Sequence, residues 1–109
     1  MRDGLEKIEA VDGDPVAAED IPAAVTAGKL AYSDGATQVF ADDGSTIYTE
    51  EDSDTRGEWY VDDQGRFCSF WPPTYRACYD LRWIVENEVI AGLSFSDLHQ
   101  SATFEGRYE

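Results

Sequence analysis

The residues able to do acid–base or nucleophilic chemistry are few and scattered. The sequence has one histidine, His99, so a catalytic triad or a histidine-based metal site must use it. His99 lies in a polar segment, where we expect it to face solvent or cap a loop. The glycine-framed turn that exposes a nucleophile is missing around Ser53, Ser94, Ser96 and Ser101. These residues therefore predict that the protein is not an enzyme.

Acidic residues form three short runs that could hold a metal or act as catalysts. The runs are Asp42-Asp43, residues 50–54 and Asp62-Asp63. The EF-hand spacing that ends in a bidentate glutamate is missing, so solvated turns are the preferred interpretation. A glycosidase-like carboxylate pair stays open, because such a pair depends on separation in space. With no glycine-rich phosphate loop either, the sequence predicts no metal and no cofactor.

The two cysteines are placed to form a disulfide bond across a β-hairpin. Pro72 and Pro73 cannot donate to a strand ladder, so they belong in the connection. Placing Cys68 opposite Cys78 sets the register, and opposed strand residues satisfy the Cα separation that a disulfide needs. The alternative is two free thiols on neighbouring strands. Two cysteines and one distant histidine supply too few ligands for a metal site.

The same register divides the hairpin into two faces, because side chains alternate along a strand. The more apolar face, which we expect to point into the core, carries Phe67, Ser69, Trp71, Tyr79, Leu81, Trp83 and Val85. The other face carries both cysteines, with Arg66 opposite Asp80 as a charge pair. We therefore expect the disulfide on the outer surface or at the rim.

Turn signals recur about every eight to twelve residues after Gly28 and divide the chain into short strands. Asp42-Asp43-Gly44 and Asp63-Gln64-Gly65 fit three-residue hairpin loops with glycine in the left-handed position, which place Gln38 opposite Tyr48 and Trp59 opposite Ser69. Residues 51–55 are predicted as a polar loop. Residues 86–88 are predicted as a three-residue turn, which places Leu93 opposite Leu81 and Ala91 opposite Trp83. Before Gly28, acidic residues and the early Pro22 predict a short helix.

These elements predict a mainly β fold, an antiparallel eight-stranded meander that closes into a small barrel with one short N-terminal helix. An open sheet curled around the helix is the alternative. Residues 18–109 are predicted to form the single β-barrel domain. Residues 1–17 are acidic and lack periodicity, so they are interpreted as a flexible arm or a strap.

The balance of charge restricts the partners of the protein. The 109-residue chain has a formal net charge of −15, with 23 acidic and 8 basic residues. Nucleic acids and anionic membranes both attract basic surfaces, so neither is an expected partner. No apolar run is long enough to cross a bilayer, and we expect no membrane insertion. A cationic partner stays open beside the plain interpretation that acidity keeps the protein soluble.

The predicted disulfide requires an oxidising compartment, although no signal peptide follows Met1. One interpretation is a periplasmic or secreted protein whose leader has been removed. The other is a cytoplasmic protein whose cysteines are reduced.

A set of short motifs gives the chain a family resemblance from residue 20 to its C-terminus. The motifs are Gly28-Lys29-Leu30, Asp43-Gly44, Gly57-Glu58-Trp59, the run Asp63-Gln64-Gly65-Arg66-Phe67-Cys68, Trp71 and Cys78-Tyr79. In this order they resemble a family of small secreted bacterial domains of unknown function. The resemblance implies a lipocalin-like, or calycin-like, β-barrel and implies no catalytic residues.

Aromatic side chains supply the candidate binding residues. Those predicted inside the barrel are Trp59, Tyr79, Trp83 and Phe95. They either line a cavity for an apolar ligand or fill the barrel completely. Those predicted in the rim loop are Trp71, Pro72, Pro73 and Tyr75. They either anchor a protein partner or close one end of the barrel by packing.

We therefore expect a non-enzymatic binding domain of the bacterial envelope. Its partner would be a small apolar ligand in the barrel or a protein at the rim. The alternative is an acidic inhibitor or interaction protein that acts on a basic partner protein.

Overall fold

Eight antiparallel strands form a closed barrel, in which each strand pairs with the next along the chain and the last returns to the first. The structure is a computed structural model that describes residue 5, residues 8–98 and residues 102–109. The strands are β1 (Leu30–Tyr32), β2 (Thr37–Phe40), β3 (Ser45–Glu50), β4 (Ser53–Val61), β5 (Phe67–Trp71), β6 (Tyr75–Glu86), β7 (Val89–Asp97) and β8 (Thr103–Tyr108). The predicted mainly β fold and its closure into a barrel are confirmed.

A short helix, α1 (Ile21–Thr26), packs its apolar edge into one end of the barrel, as the sequence predicts. A 3₁₀ turn at Ala18–Asp20 leads into it, and Pro22 occupies its first turn, where the missing N–H has no intrahelical partner to lose. Ile21 and Val25 lie four residues apart and are both buried. Among the described residues, no helix is long and apolar enough to span a membrane.

The glycine-containing turns set the strand registers that the sequence predicts. Gln38 lies opposite Tyr48 across the β2–β3 turn, and Trp59 lies opposite Ser69 across the β4–β5 turn. Gly44 in the first of these turns has a φ of 91°, a left-handed conformation that glycine adopts without a steric penalty. The inward and outward faces of β2 to β5 follow from these two turns.

The β6–β7 hairpin differs from its predicted register by two residues. Leu81 lies opposite Phe95, where the sequence predicts Leu93. Trp83 lies opposite Leu93, where the sequence predicts Ala91. For these pairs a shift of two residues keeps each side chain on its predicted face, so the core face of β6 is unchanged. Beside the turn, where Val85 pairs with Ile90 and Glu86 with Val89, the shift is one residue, so Val89 and Ile90 exchange faces.

Two local features cause this shift. The turn contains only Asn87 and Glu88, with φ angles of 53° and 64°, where the sequence predicts a three-residue loop. Ala91 is then the extra residue at the register irregularity in this hairpin. The turn contains no glycine, so the residue pattern does not reveal it, whereas Gly92, a glycine within a strand that fits a bend or bulge, pairs with Ile84 at the irregularity.

Residues 12–16, here called the strap, lie along the edge of β6. β6 has twelve residues and extends beyond its partner β5, which leaves part of its edge for another partner. The N–H of Gly13 donates to the carbonyl of Trp83, and the N–H of Trp83 donates to the carbonyl of Asp14, both at 2.9 Å. Val16 is buried in the core. These described residues therefore lie on the barrel as the strap that the sequence analysis gives as one of its two interpretations.

The hydrophobic core includes residues from the strap, from α1 and from most strands. Its buried members are Leu5, Val16, Ile21, Ala24, Val25, Leu30, Phe40, Trp59, Phe67, Leu81, Trp83, Leu93 and Phe95. The indole N–H of Trp59 donates to the carbonyl of Ala41 at 2.8 Å, which satisfies the polar atom of this buried ring. The apolar residues of α1 therefore belong to the same core as those of the strands.

Candidate functional site: an aromatic cavity at the open end of the barrel

The two cysteines form the predicted disulfide bond. Cys68 lies opposite Cys78 on β5 and β6, with Cα atoms 4.0 Å apart and a sulfur–sulfur bond of 2.04 Å. Both lie on the face opposite the core, as predicted, yet Cys68 is fully buried there. Arg66 pairs with Asp62 in the β4–β5 turn at 2.9 Å, and not with Asp80 as the sequence predicts.

The carboxylate of Asp62 lies close to the sulfurs of Cys68 and Cys78, in an arrangement that resembles a three-ligand metal site. A disulfide sulfur is not a thiolate, and only the thiolate is a strong metal ligand. A single carboxylate remains, which is too little to hold an ion. This cluster is therefore part of the outer packing around the disulfide.

The end of the barrel opposite α1 contains an open cavity of about 680 Å³. Its mouth lies between the β1–β2, β3–β4 and β5–β6 turns. The lining residues are Tyr32, Ser33, Asp34, Gln38, Phe40, Tyr48, Glu50, Thr55, Phe67, Ser69, Trp71, Tyr79, Phe95, Thr103, Phe104 and Glu105. Pockets that enclose small molecules measure about 300–1,000 Å³. The cavity is therefore large enough for one small ligand.

Two of the four predicted interior aromatics line this cavity. Tyr79 and Phe95 form part of its wall, with ring centroids 6.2 Å apart and ring planes at 89°. Trp59 and Trp83 do not border the cavity and are buried in the packed core. The interior is therefore filled by side chains at the end next to α1 and hollow at the opposite end.

The predicted rim residues are also divided. Trp71 lines the cavity, and its indole N–H donates to the Ser69 hydroxyl at 3.2 Å. Pro72, Pro73 and Tyr75 are exposed, and Tyr75 retains 61% of its accessible surface. Trp71 therefore belongs with the cavity, whereas the other three face solvent beside its mouth.

Two tyrosines that the sequence analysis does not single out complete the wall. Tyr32 on β1 and Tyr48 on β3 have ring centroids 6.2 Å apart. The Tyr32 hydroxyl donates to Gln38 Oε1 at 2.7 Å, and Gln38 Nε2 donates to Thr46 Oγ1 at 2.9 Å. A usable signal exists, because the predicted register already places Gln38 beside Tyr48. Only the assignment of an inward face to β1, β2 and β3 is missing from the sequence pattern.

Burial and nearby negative charge act on both phenols. Burial is the main cause that raises the pKa of Tyr32 well above its ordinary value, and Tyr48, Tyr79 and Asp34 raise it further. The pKa of Tyr48 is raised by burial first, and then by Asp34 and Glu50. Both phenols therefore remain neutral hydrogen-bonding groups at physiological pH.

Two carboxylates border the mouth of the cavity. Asp34 lies in the β1–β2 turn, and Glu50 ends β3 two residues after Tyr48, on the same face of the strand. Within the described chain, the Glu50 carboxylate makes neither a hydrogen bond nor an ion pair, whereas its backbone belongs to the β3–β4 ladder. Glu105 also borders the cavity, but its carboxylate pairs with Arg107 at 3.7 Å. Asp34 Oδ1 accepts a hydrogen bond from the N–H of Ala36 at 3.0 Å but, among the described residues, forms no ion pair, so Asp34 and Glu50 are the acidic groups that can act on a ligand.

Two other carboxyl groups have shifted pKa values, but they lie in turns at the opposite end. The hydroxyl and the backbone N–H of Ser45 lower the pKa of Asp43, and the backbone N–H of Arg66 is the main cause that lowers the pKa of Asp62. A lowered pKa is the opposite of what a general acid needs near neutral pH. These two groups stabilise their turns.

His99, for which the sequence predicts a solvent-facing or loop-capping position, lies outside the described residues.

Comparisons of the chain with models of known protein families, with curated proteins and with solved structures find no match.

Proposed function

We propose that this protein is a non-enzymatic binding domain that takes a small, largely apolar ligand into the barrel. The observation that supports this proposal is the open cavity of about 680 Å³. Small eight-stranded barrels are either filled by their own side chains or hold one small ligand. Here the end next to α1 is filled, and the opposite end has room for a ligand.

The walls of the cavity suit an apolar or aromatic molecule. The rings of Phe67 and Phe95 have centroids 5.6 Å apart, and Tyr79 packs against both of them. Each 100 Å² of apolar ligand surface buried there would contribute about 2.5 kcal/mol before the losses of association. The polar atoms of Gln38 and Ser69 would orient the ligand.

We also propose that the protein works in the bacterial periplasm or is secreted. The disulfide between Cys68 and Cys78 supports an oxidising compartment, and the resemblance to small secreted bacterial domains supports the same location. Alkylation of free thiols in intact cells tests this. Neither cysteine is expected to react without prior reduction, and reaction of both cysteines would place the protein in the cytoplasm.

A neutral fluorescent probe tests the binding function. N-phenyl-1-naphthylamine brightens when it enters an apolar site, and its fluorescence should rise saturably with added protein. Ser69→Phe places a ring in the cavity and should weaken the probe's affinity by about tenfold or more. The same substitution on the outer face, Ser94→Phe, is the matched control and should change the affinity less than about twofold.

A second variant protects this test against a folding defect. Thr55→Phe narrows the mouth from an exposed position, so it leaves the core untouched. Circular dichroism must show that each variant is folded. An absence of saturable fluorescence with the unmodified protein would contradict the proposed function, as would equal affinities for all variants.

A protein partner at the rim is the second candidate, and the exposed apolar residues beside the mouth favour it. Tyr75 is 61% exposed, Phe104 is 51% exposed and Leu98 is 40% exposed. Such aromatic groups are typical anchors of protein interfaces, and the net charge of −15 favours a basic partner, as in the acidic-inhibitor hypothesis. Tyr75→Ser should abolish capture of a basic protein partner, whereas Val89→Ser at the other end should not.

A further inference from the structure

The charges around the cavity have one sign. Asp34 and Glu50 border the mouth, and no described lining residue is basic. A ligand that enters therefore crosses a negative potential, which a low-dielectric wall strengthens. Burial is the main cause that raises the pKa of the neighbouring Tyr48 phenol, and both carboxylates raise it further.

Among the described basic side chains, only Arg107 forms an ion pair with a carboxylate that borders the cavity, that of Glu105 at 3.7 Å. Lys29 pairs with Glu109, and Arg66 pairs with Asp62, both among residues that do not line the cavity. Arg107 pairs with Glu86 at 2.9 Å. The negative charge of Glu50 therefore has no basic partner among the described residues.

Three neighbouring aromatic rings line the same cavity as these carboxylates. The ring centroids of Tyr32 and Tyr48 are 6.2 Å apart, and those of Tyr48 and Trp71 are 6.5 Å apart. The faces of aromatic rings carry partial negative charge and attract cations within about 6 Å of the ring centre. Rings and carboxylates thus favour the same charge on a ligand.

We infer that the ligand of the cavity is an organic cation, an amine with an apolar body. The body would lie against Phe67, Tyr79 and Phe95, and the ammonium group would lie between Glu50, Asp34 and the ring of Tyr48. This inference rests on the proposed binding function and adds the charge of the ligand to it. A neutral ligand would use the apolar wall alone, and an anion would be repelled at the mouth.

Three probes of matched shape separate the two proposals. They are 2-(1-naphthyl)ethylamine, 2-(1-naphthyl)ethanol and 1-naphthylacetate, which are cationic, neutral and anionic at pH 8. Titration calorimetry at low salt should give an amine affinity about tenfold above that of the alcohol, with the acetate weakest. Added salt should reduce the advantage of the amine and leave the alcohol unchanged.

Glu50→Gln tests the residue that carries the inference. It should lower the affinity for the amine about threefold or more and leave that for the alcohol unchanged. Glu19→Gln makes the same change in net charge on an exposed residue that does not line the cavity, and both affinities should stay as in the unmodified protein. A loss of the amine's advantage in Glu50→Gln alone supports the inference.

The outcomes distinguish the two proposals. Equal affinities for amine and alcohol, or tightest binding of the acetate, would overturn the inferred cation preference while the binding function stands. An equal effect of Glu50→Gln and Glu19→Gln would also overturn it, because the preference would then reflect net charge. If none of the three probes binds, the proposed function fails and the inference fails with it.

Discussion

The indole of Trp71 lies directly against the backbone of Gly57 on the neighbouring strand. A Cβ atom at Gly57 would be 2.7 Å from Cζ3 of Trp71 and 2.9 Å from the carbonyl oxygen of Phe70. Glycine is therefore needed there because of close approach. The contact holds the indole in the wall of the cavity, where its N–H donates to Ser69.

Gly57→Ala should consequently destabilise the fold by about 1–3 kcal/mol through overpacking. Part of that loss comes from the indole, so the same substitution in a Trp71→Ala background should cost at least about 0.5 kcal/mol less. Urea unfolding of the four proteins in this cycle measures both values. An identical cost in the two backgrounds would show that the indole does not pack against Gly57.

Cys78→Ser should lower the free energy of unfolding by about 2–3 kcal/mol, because the bond closes a loop with a sequence separation of 10 residues. Thermal unfolding with and without reductant measures the effect. The unmodified protein in reductant should have nearly the same free energy of unfolding as the variant, because the two then differ only in the sulfur or oxygen atom of residue 78. If reductant leaves the difference intact, packing of the buried Cys68, and not the covalent bond, is responsible.

Trp83→Ala should cost about 3–5 kcal/mol, because the indole is 4% exposed in the core and its backbone holds the strap. Chemical denaturation gives the value. Val89→Ala removes apolar atoms from a side chain that is 63% exposed in the same hairpin, and should change stability by less than about 0.5 kcal/mol. A small effect at Trp83 would contradict the placement of this ring in the core.

Tyr32 should make stability fall at alkaline pH. Burial raises the pKa of this phenol in the folded state, so the folded protein retains the proton when the unfolded chain has lost it. The contribution is fully present below the ordinary tyrosine pKa of about 10 and is lost as the pH rises above it. Tyr32→Phe should therefore flatten the fall in melting temperature above about pH 10. An unchanged slope in the variant would contradict the buried position of the phenol.

The sequence predicts most of the fold where a turn has its own chemical signal. Gly44 and the central disulfide fix the registers of their hairpins, and alternation then assigns the faces of β5 and β6. The β6–β7 turn lacks such a signal, since Asn87 and Glu88 adopt positive φ without glycine. The β3–β4 loop is shorter than its polar composition indicates, because Glu50 already pairs with Ser53. Here too a residue other than glycine, Glu51, adopts a positive φ of 55°.

The position of the cavity could not be predicted from alternation. Tyr79 and Trp83 share one face of β6, and four strand residues separate their Cα atoms by about 13 Å. The period-two pattern predicts that both rings point into the barrel, but it does not predict how far each ring lies from the open end. The strap packs beside Trp83 and marks the end of the barrel at which this ring is buried. Its pairing with β6 joins residues about 70 positions apart, so the local sequence pattern does not predict it.

The most direct test of the account is a nitrogen-15 NMR titration of the protein with N-phenyl-1-naphthylamine. A ligand in the open end of the barrel should shift the amide resonances of Ser69, Tyr79 and Phe95, and should leave those of Gly13 and Val89 in place. Saturating probe without any shift at the first three residues, or with shifts confined to the outer surface, would contradict the claim that the barrel binds a ligand in its cavity.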